Sequence, residues 1–123
     1  MIDHIGITSS DLTRSKAFYE SALAPLGYTV FKSYEGQAVG FWVDNKPDFW
    51  IGAGKDPKPA HVAFRAKGRA EVKAFYDAAI AAGGKDNGPP GVRAHYHQDY
   101  YGAFVTDPDG HNIEAVCHES YLG

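Results

Sequence analysis

The chain has 123 residues, the size of one ordinary domain and enough to bury a core without disulfide staples. Its 44% apolar and 22% charged residues fit a soluble globular protein, and a net charge of −3 argues against a nucleic-acid or anionic-membrane surface. No apolar run approaches membrane-spanning length, the opening Met1-Ile2-Asp3-His4 does not read as a signal peptide, and the single Cys117 excludes an internal disulfide, so a cytoplasmic setting is expected.

Ile2 to Thr8 alternates as a strand, with Ile2, Ile5 and Ile7 as its apolar members. A first helix is expected from Ser9-Ser10-Asp11, whose side chains can cap free amides. Leu12, Phe18, Tyr19, Ala22 and Leu23 form its apolar stripe, and Pro25 and Gly27 end it. Segments 28–34, 37–44 and 48–53 read as a strand meander. Residues 54–59, Gly-Lys-Asp-Pro-Lys-Pro, form a polar link. Ala60 to Arg65 is again strand-like. A second helix is expected from Gly68 to Ala82, because Val72, Phe75, Tyr76, Ala79 and Ile80 recur at helical spacing before Gly83-Gly84. Tyr101 to Thr106 and His111 to His118 read as two strands joined by Asp107-Pro108-Asp109-Gly110, a type I turn signal.

The chain contains a repeat. Lys16-Ala17-Phe18-Tyr19 recurs as Lys73-Ala74-Phe75-Tyr76, and at the same offset His4 maps to His61, Leu23 to Ile80 and Gly27 to Gly84. The expected architecture is α+β: one domain made of two tandem βαβββ modules, about 1–54 and 60–123, pairing around a central cleft. The second copy carries extra residues in the Gly- and Pro-rich stretch near Asp86 to Gly91.

Glu114 sits in the otherwise apolar Asn112-Ile113-Glu114-Ala115-Val116, where a carboxylate is costly unless paired or metal-bound. By strand alternation it faces away from Ile113, Ala115 and Cys117. A pair with Arg65, which shares a face with His61, is the alternative to a metal. Trp50 falls at the Glu114 position of the first module.

His4-Ile-Gly-Ile, the Lys16-Ala-Phe-Tyr helix, His61-Val-Ala-Phe and Asp107-Pro-Asp-Gly-His-Asn-Ile-Glu114 resemble the vicinal oxygen chelate superfamily. That group includes glyoxalase I, extradiol dioxygenases, thiol transferases and bleomycin-resistance proteins. The resemblance covers nearly the whole chain. It implies a divalent metal held by His4, His61 and Glu114, a small substrate with vicinal oxygens, and a homodimer. Fe, Mn, Zn and Ni all suit two imidazoles and a carboxylate. Trp50 cannot supply the fourth ligand that glyoxalase I uses, since an indole nitrogen only donates. A three-ligand site is closer to the dioxygenases and thiol transferases, although Ala94, Gln98, Gly102 and Phe104 stand where the fosfomycin pocket has its polar groups.

The run Arg93 to Tyr101 is the densest polar and aromatic stretch. Extended, it places Arg93, His95 and His97 on one face. His97 is the candidate acid or base. Tyr101 is the candidate hydrogen-bond donor to a substrate oxygen. Trp50, Arg65 and His95 are candidate substrate contacts. The competing functional class is a non-catalytic module that sequesters a ligand in the same cleft, as bleomycin-resistance proteins do.

Overall fold

The computed structural model describes residues 1–118. Two copies of one topology follow each other. The first contains β1 (Ile5–Ser9), α1 (Leu12–Leu23), β2 (Thr29–Tyr34), β3 (Ala38–Val43) and β4 (Lys46–Ala53). The second contains β5 (His61–Arg65), α2 (Arg69–Ala81), β6 (Lys85–Val92), β7 (Tyr101–Thr106) and β8 (Asn112–Cys117). Their sheets have the orders β1-β4-β3-β2 and β5-β8-β7-β6, so the duplication read in the sequence is also a duplication of strand order. Residues 119–123, the end of the expected second module, lie outside the described residues.

Local chemistry explains the elements. Asp11 adopts extended backbone and its carboxylate accepts from the Arg14 amide, which caps α1. A left-handed Gly27 ends the short 3-10 turn after α1. Asp44 and Asn45 both have positive φ, as a two-residue hairpin turn between β3 and β4 requires. Gly110 donates its amide to the Asp107 carbonyl, closing the Asp-Pro-Asp-Gly turn.

Two boundaries differ from the sequence reading. β1 starts at Ile5, so His4 lies just before the strand. The stretch around Gly88-Pro89-Pro90 is part of strand β6, and the long insertion is the loop 93–100, where the first module has only residues 35–37. β6 is an edge strand whose register shifts twice beside Gly88, and bulged edges tolerate proline. Arg93 to Tyr100 is consequently not extended.

One face of each sheet packs on α1 and α2, and the two modules share one core. Phe49 and Phe64 meet edge to face at 5.1 Å, and Tyr28 meets Phe64 at 5.4 Å. Each such buried ring removes enough apolar surface to favour folding by about 1.5–3 kcal/mol. No helix among the described residues is long and apolar enough to cross a membrane.

A polar clamp joins the modules. Tyr19 of α1 donates its hydroxyl to Asp107 Oδ2 at 2.5 Å, inside the core. Burial and the neighbouring Asp107 charge push the Tyr19 hydroxyl well above its usual pKa, which keeps it a donor. Asp107 Oδ1 accepts from the amides of Asp109 and His111. Asp109 in turn accepts from the amide and hydroxyl of Ser10. His111 is buried, donates from Nε2 to the Thr8 carbonyl at 2.7 Å and accepts at Nδ1 from the Ala60 amide at 3.0 Å. Those partners fix a neutral imidazole with its proton on Nε2. Tyr19→Phe is expected to lower unfolding free energy by about 1–3 kcal/mol, because Asp107 stays buried one donor short. Urea unfolding checks this, with an unchanged m-value.

Candidate functional site

The face of the β5–β8 sheet turned away from the helices carries the polar cluster. Alternation places Val62 and Phe64 in the core and His61, Ala63 and Arg65 on the other side. β8 puts Ile113, Ala115 and Cys117 in the core and Glu114 on the open face. Glu114 pairs in register with Ala63 of β5 and Phe104 of β7, so it lies mid-sheet.

Glu114 is buried, its side chain 1% exposed, while His61 is 54% exposed. His61 Nε2 stands 2.7 Å from Glu114 Oε1, and the Tyr100 hydroxyl donates to Oε2. Burial raises the Glu114 carboxyl above its usual pKa, against the lowering pull of His61, Arg93 and His118. Gly102 makes the tyrosine contact possible. A Cβ there would stand 3.1 Å from the Tyr100 ring and 3.6 Å from Glu114 Oε2.

The equivalent face of the first module is aromatic. Gly6 pairs with Trp50 as Ala63 pairs with Glu114, so the register puts Trp50 at the Glu114 position. Trp50 lies flat over Gly40, where a Cβ would sit 2.7 Å from the indole. Tyr34 stacks on it at 6.5 Å, and Phe31 meets it edge to face at 6.1 Å. Trp42 joins through Phe31.

The remaining candidates are placed as follows. His4 is 59% exposed and its Nδ1 stands 2.7 Å from Asp3, a hydrogen bond that holds the Asp3 carboxyl below its usual pKa. His4 does not join His61 and Glu114 within one chain, and among the described residues no three His, Cys, Asp or Glu group closely enough to hold a metal. Arg65 lies on the His61 face but lines a separate cavity of about 670 Å³ between the modules, with Ile5, Tyr28, Phe49 and Phe64. His61 and Glu114 are not among its walls, which carry Asp48, Lys46 and Glu71 beside the aromatic rings. His95 packs on Tyr96 at 4.2 Å in the exposed loop. His97 accepts from the Asp99 amide and meets His118, which in turn meets the Tyr100 ring, so His97 is two rings removed from Glu114.

Tyr101 faces the helices. It pairs with Cys117, is buried, and carries the Arg69 guanidinium over its ring at 4.7 Å. The tyrosine on Glu114 is Tyr100. Alternation carries the signal that finds it, because Tyr100 has the parity of Gly102 and Phe104, whereas Tyr101 has that of core Ala103 and Val105. Arg93, at the other end of the same loop, also reaches this face.

The sequence model of the Glyoxalase/Bleomycin resistance protein/Dioxygenase superfamily matches residues 1–115. The chain belongs to that superfamily. Its structure is similar to a glyoxalase/bleomycin resistance protein from Albidiferax ferrireducens T118 at 28% identity, covering 94% of this chain and 97% of that one with a TM-score of 0.81. It also shares its fold with a glyoxalase/bleomycin resistance protein/dioxygenase family enzyme from Burkholderia phytofirmans PsJN (19% identity, 93% and 95% covered, TM-score 0.72). Lactoylglutathione lyase from Agrobacterium tumefaciens has the same fold (18% identity, 94% and 92% covered, TM-score 0.72). Among curated proteins, none matches the chain.

Within this superfamily scaffold the two open faces have diverged, one polar and one aromatic, and each can be tested alone. Gly40→Ala is expected to lift Trp50 off β3 and to destabilise by about 1–3 kcal/mol, the usual penalty of overpacking. A red-shifted Trp50 emission in a Trp42→Phe background reads it. On the polar face, the raised Glu114 pKa means the folded state holds that proton more tightly than the unfolded chain. Its contribution favours folding below the usual carboxylate range and is lost as pH rises through the raised value. Metal-stripped wild type should therefore lose stability relative to Glu114→Gln across that window, seen as diverging Tm curves.

Proposed function

We propose that this protein is a divalent-metal-dependent enzyme acting on a small substrate with vicinal oxygens. The observation that carries the reading is Glu114: a buried carboxylate, mid-sheet, with one oxygen at His61 Nε2 and the other held by Tyr100. Imidazole nitrogen and carboxylate oxygen suit Fe, Mn, Zn or Ni, and two such donors on adjacent strands fit two positions of a metal site. The third donor we assign is His4 of the partner subunit in a homodimer. In support, β1 and β5 are both edge strands of their sheets among the described residues, they are equivalent in the repeat, and His4 is exposed just before β1.

The chemistry such an ion supplies is Lewis-acid polarisation of a substrate oxygen. The chain's own groups do the rest. Tyr100 fixes Glu114 Oε2, so Oε1 points toward His61 in one orientation, as outer hydrogen bonds do for ligating groups. Phe104 walls the carboxylate from the β7 side. With Trp50 in place of a fourth donor, the site is a three-donor one, suited to dioxygenase-like or lyase and transferase chemistry.

A second reading, ligand sequestration of the bleomycin-resistance kind, is favoured by one observation: the Trp50, Tyr34, Phe31 and Trp42 face offers an aromatic ligand a stacking surface.

Metal analysis of protein purified without chelator should find one ion per chain, and His61→Ala or Glu114→Gln should abolish it. If the third donor comes in trans, His4→Ala and His61→Ala homodimers bind none, while a mixture refolded together recovers roughly a quarter of the sites, the share expected from random pairing. Ligand binding untouched by metal stripping, with no stoichiometric metal, would favour sequestration. Oxygen uptake with catechols, against glutathione-dependent turnover of methylglyoxal, separates the two chemistries.

A further inference from the structure

The loop 93–100 is closed at its base. The Arg93 amide donates to the Tyr100 carbonyl at 2.7 Å, and the Arg93 carbonyl accepts from the amides of Tyr96 and His97. The two residues at this base send side chains to the same face: Tyr100 to Glu114, and Arg93 over the Phe104 ring at 5.5 Å. Phe104 is the register partner of Glu114, so the guanidinium lies one strand away from the carboxylate.

Glycines prepare a bed for that guanidinium. Gly88 and Gly91 of β6 pair with Phe104 and Gly102. A Cβ on Gly91 would stand 2.9 Å from Arg93 Nη1, and one on Gly88 would stand 3.2 Å from Nη2 and 3.0 Å from Phe104. Arg93 Nη2 donates to the Pro89 carbonyl at 2.7 Å, which fixes the plane of the group. A guanidinium has five N–H donors, so this bond leaves a fork free. Among the described residues no carboxylate forms an ion pair with it. A half-buried, orientated cation facing the His61–Glu114 pair, balanced only at longer range by the Glu114 charge and with a pair of donors free, is arranged to receive an anion.

We propose that Arg93 is an anion anchor, binding the carboxylate or phosphate of a small substrate whose reacting oxygens lie at His61 and Glu114. Like the proposed function, this rests on the open face of β5–β8 being the substrate face. Planar, two-pronged donation to an oxyanion is what arginine does and lysine does not. The short distance from Phe104 to Glu114 across one strand limits the spacer between anionic group and reacting oxygens to a few bonds. Arg93 is then a specificity-determining residue that selects small anionic substrates over neutral ones.

The test uses metal-stripped, desalted full-length chain, titrated with malonate, inorganic phosphate and neutral malonamide. Wild type is expected to bind malonate or phosphate in clear preference to malonamide, the tighter of the two naming the oxyanion. Arg93→Gln should weaken that binding at least tenfold, on the order of one charge-assisted hydrogen-bonded pair. Arg93→Lys should recover only part of it. Gly91→Ala keeps the charge but takes the space of Nη1, and should lose the preference as well. Thermal melting confirms that each variant is folded. Equal affinity for malonate, phosphate and malonamide in folded wild type, or oxyanion binding unchanged in Arg93→Gln, would overturn the anchor. Zinc binding measured on the same variants separates the two readings. Zinc bound equally by wild type and Arg93→Gln, with no anion preference, defeats the anchor alone. An anion preference that depends on Arg93 in a chain that binds no zinc defeats the metal reading and leaves the anchor standing.

Discussion

The buried carboxylate of Asp107 is the constraint on which the site depends. It accepts from Tyr19 of the first module and from the amides of Asp109 and His111 in its own turn. A carboxylate in that position is tolerated because both of its oxygens accept hydrogen bonds, three in all. The same bonds hold His111, whose two nitrogens tie Thr8 at the end of β1 to Ala60 at the start of β5. The Asp-Pro-Asp-Gly-His segment therefore does structural work: it docks the modules and sets where β8 begins. Glu114 lies three residues beyond His111, which immediately precedes β8, so the clamp fixes the height at which the carboxylate meets His61. A pair of donors 2.7 Å apart on neighbouring parallel strands needs this kind of register control, since a slip of one residue would turn Glu114 into the core.

Glycine placement then decides what each open face can hold. Trp50 lies flat because Gly40 gives it room; Tyr100 reaches Glu114 because Gly102 does; the Arg93 guanidinium rests beside Phe104 because Gly88 and Gly91 do. In each case the missing side chain is replaced by the side chain of another residue lying along the sheet. Flat rings and a flat guanidinium fill such spaces better than aliphatic groups, and their polar ends remain at the surface.

Much of this was legible from residues alone. The repeat at one offset located both helices and both first strands, and strand alternation placed Glu114 on the open face opposite Ile113 and Ala115. The match of Trp50 to Glu114 is a register fact that the repeat already implied. Other features depend on contacts that no local pattern carries. Tyr100 and Tyr101 differ only in parity, and the parity is fixed by where β7 begins, which the loop closure at Arg93 determines. Gly88-Pro89-Pro90 carries a loop signal, yet as a bulged edge it completes the sheet. His4 and His61 are equivalent in the repeat but occupy different surroundings, because equivalence within modules says nothing about which module of which copy lies opposite.

The two faces place their bulk on different strands. In the first module the β3–β4 pair is Gly40 with Trp50; in the second, the β7–β8 pair is Phe104 with Glu114. The bulky ring stands on β4 in the first module and on β7 in the second, where the β8 position holds a compact acid. Burial is the largest cause of the raised Glu114 pKa, and Phe104 of β7 is the register partner of that carboxylate. Exchanging Trp50 alone for an acid would not reproduce the second site, since Gly40 offers no wall and the carboxylate would stay solvated. In the second module the acid has the ring of β7 beside it, the tyrosine over Gly102 on one oxygen and the histidine of β5 on the other. The first module has Gly6 and Gly40 where the second has Ala63 and Phe104, so one repeated frame carries a polar face in one module and an aromatic face in the other, and the difference lies in a few positions that touch one another.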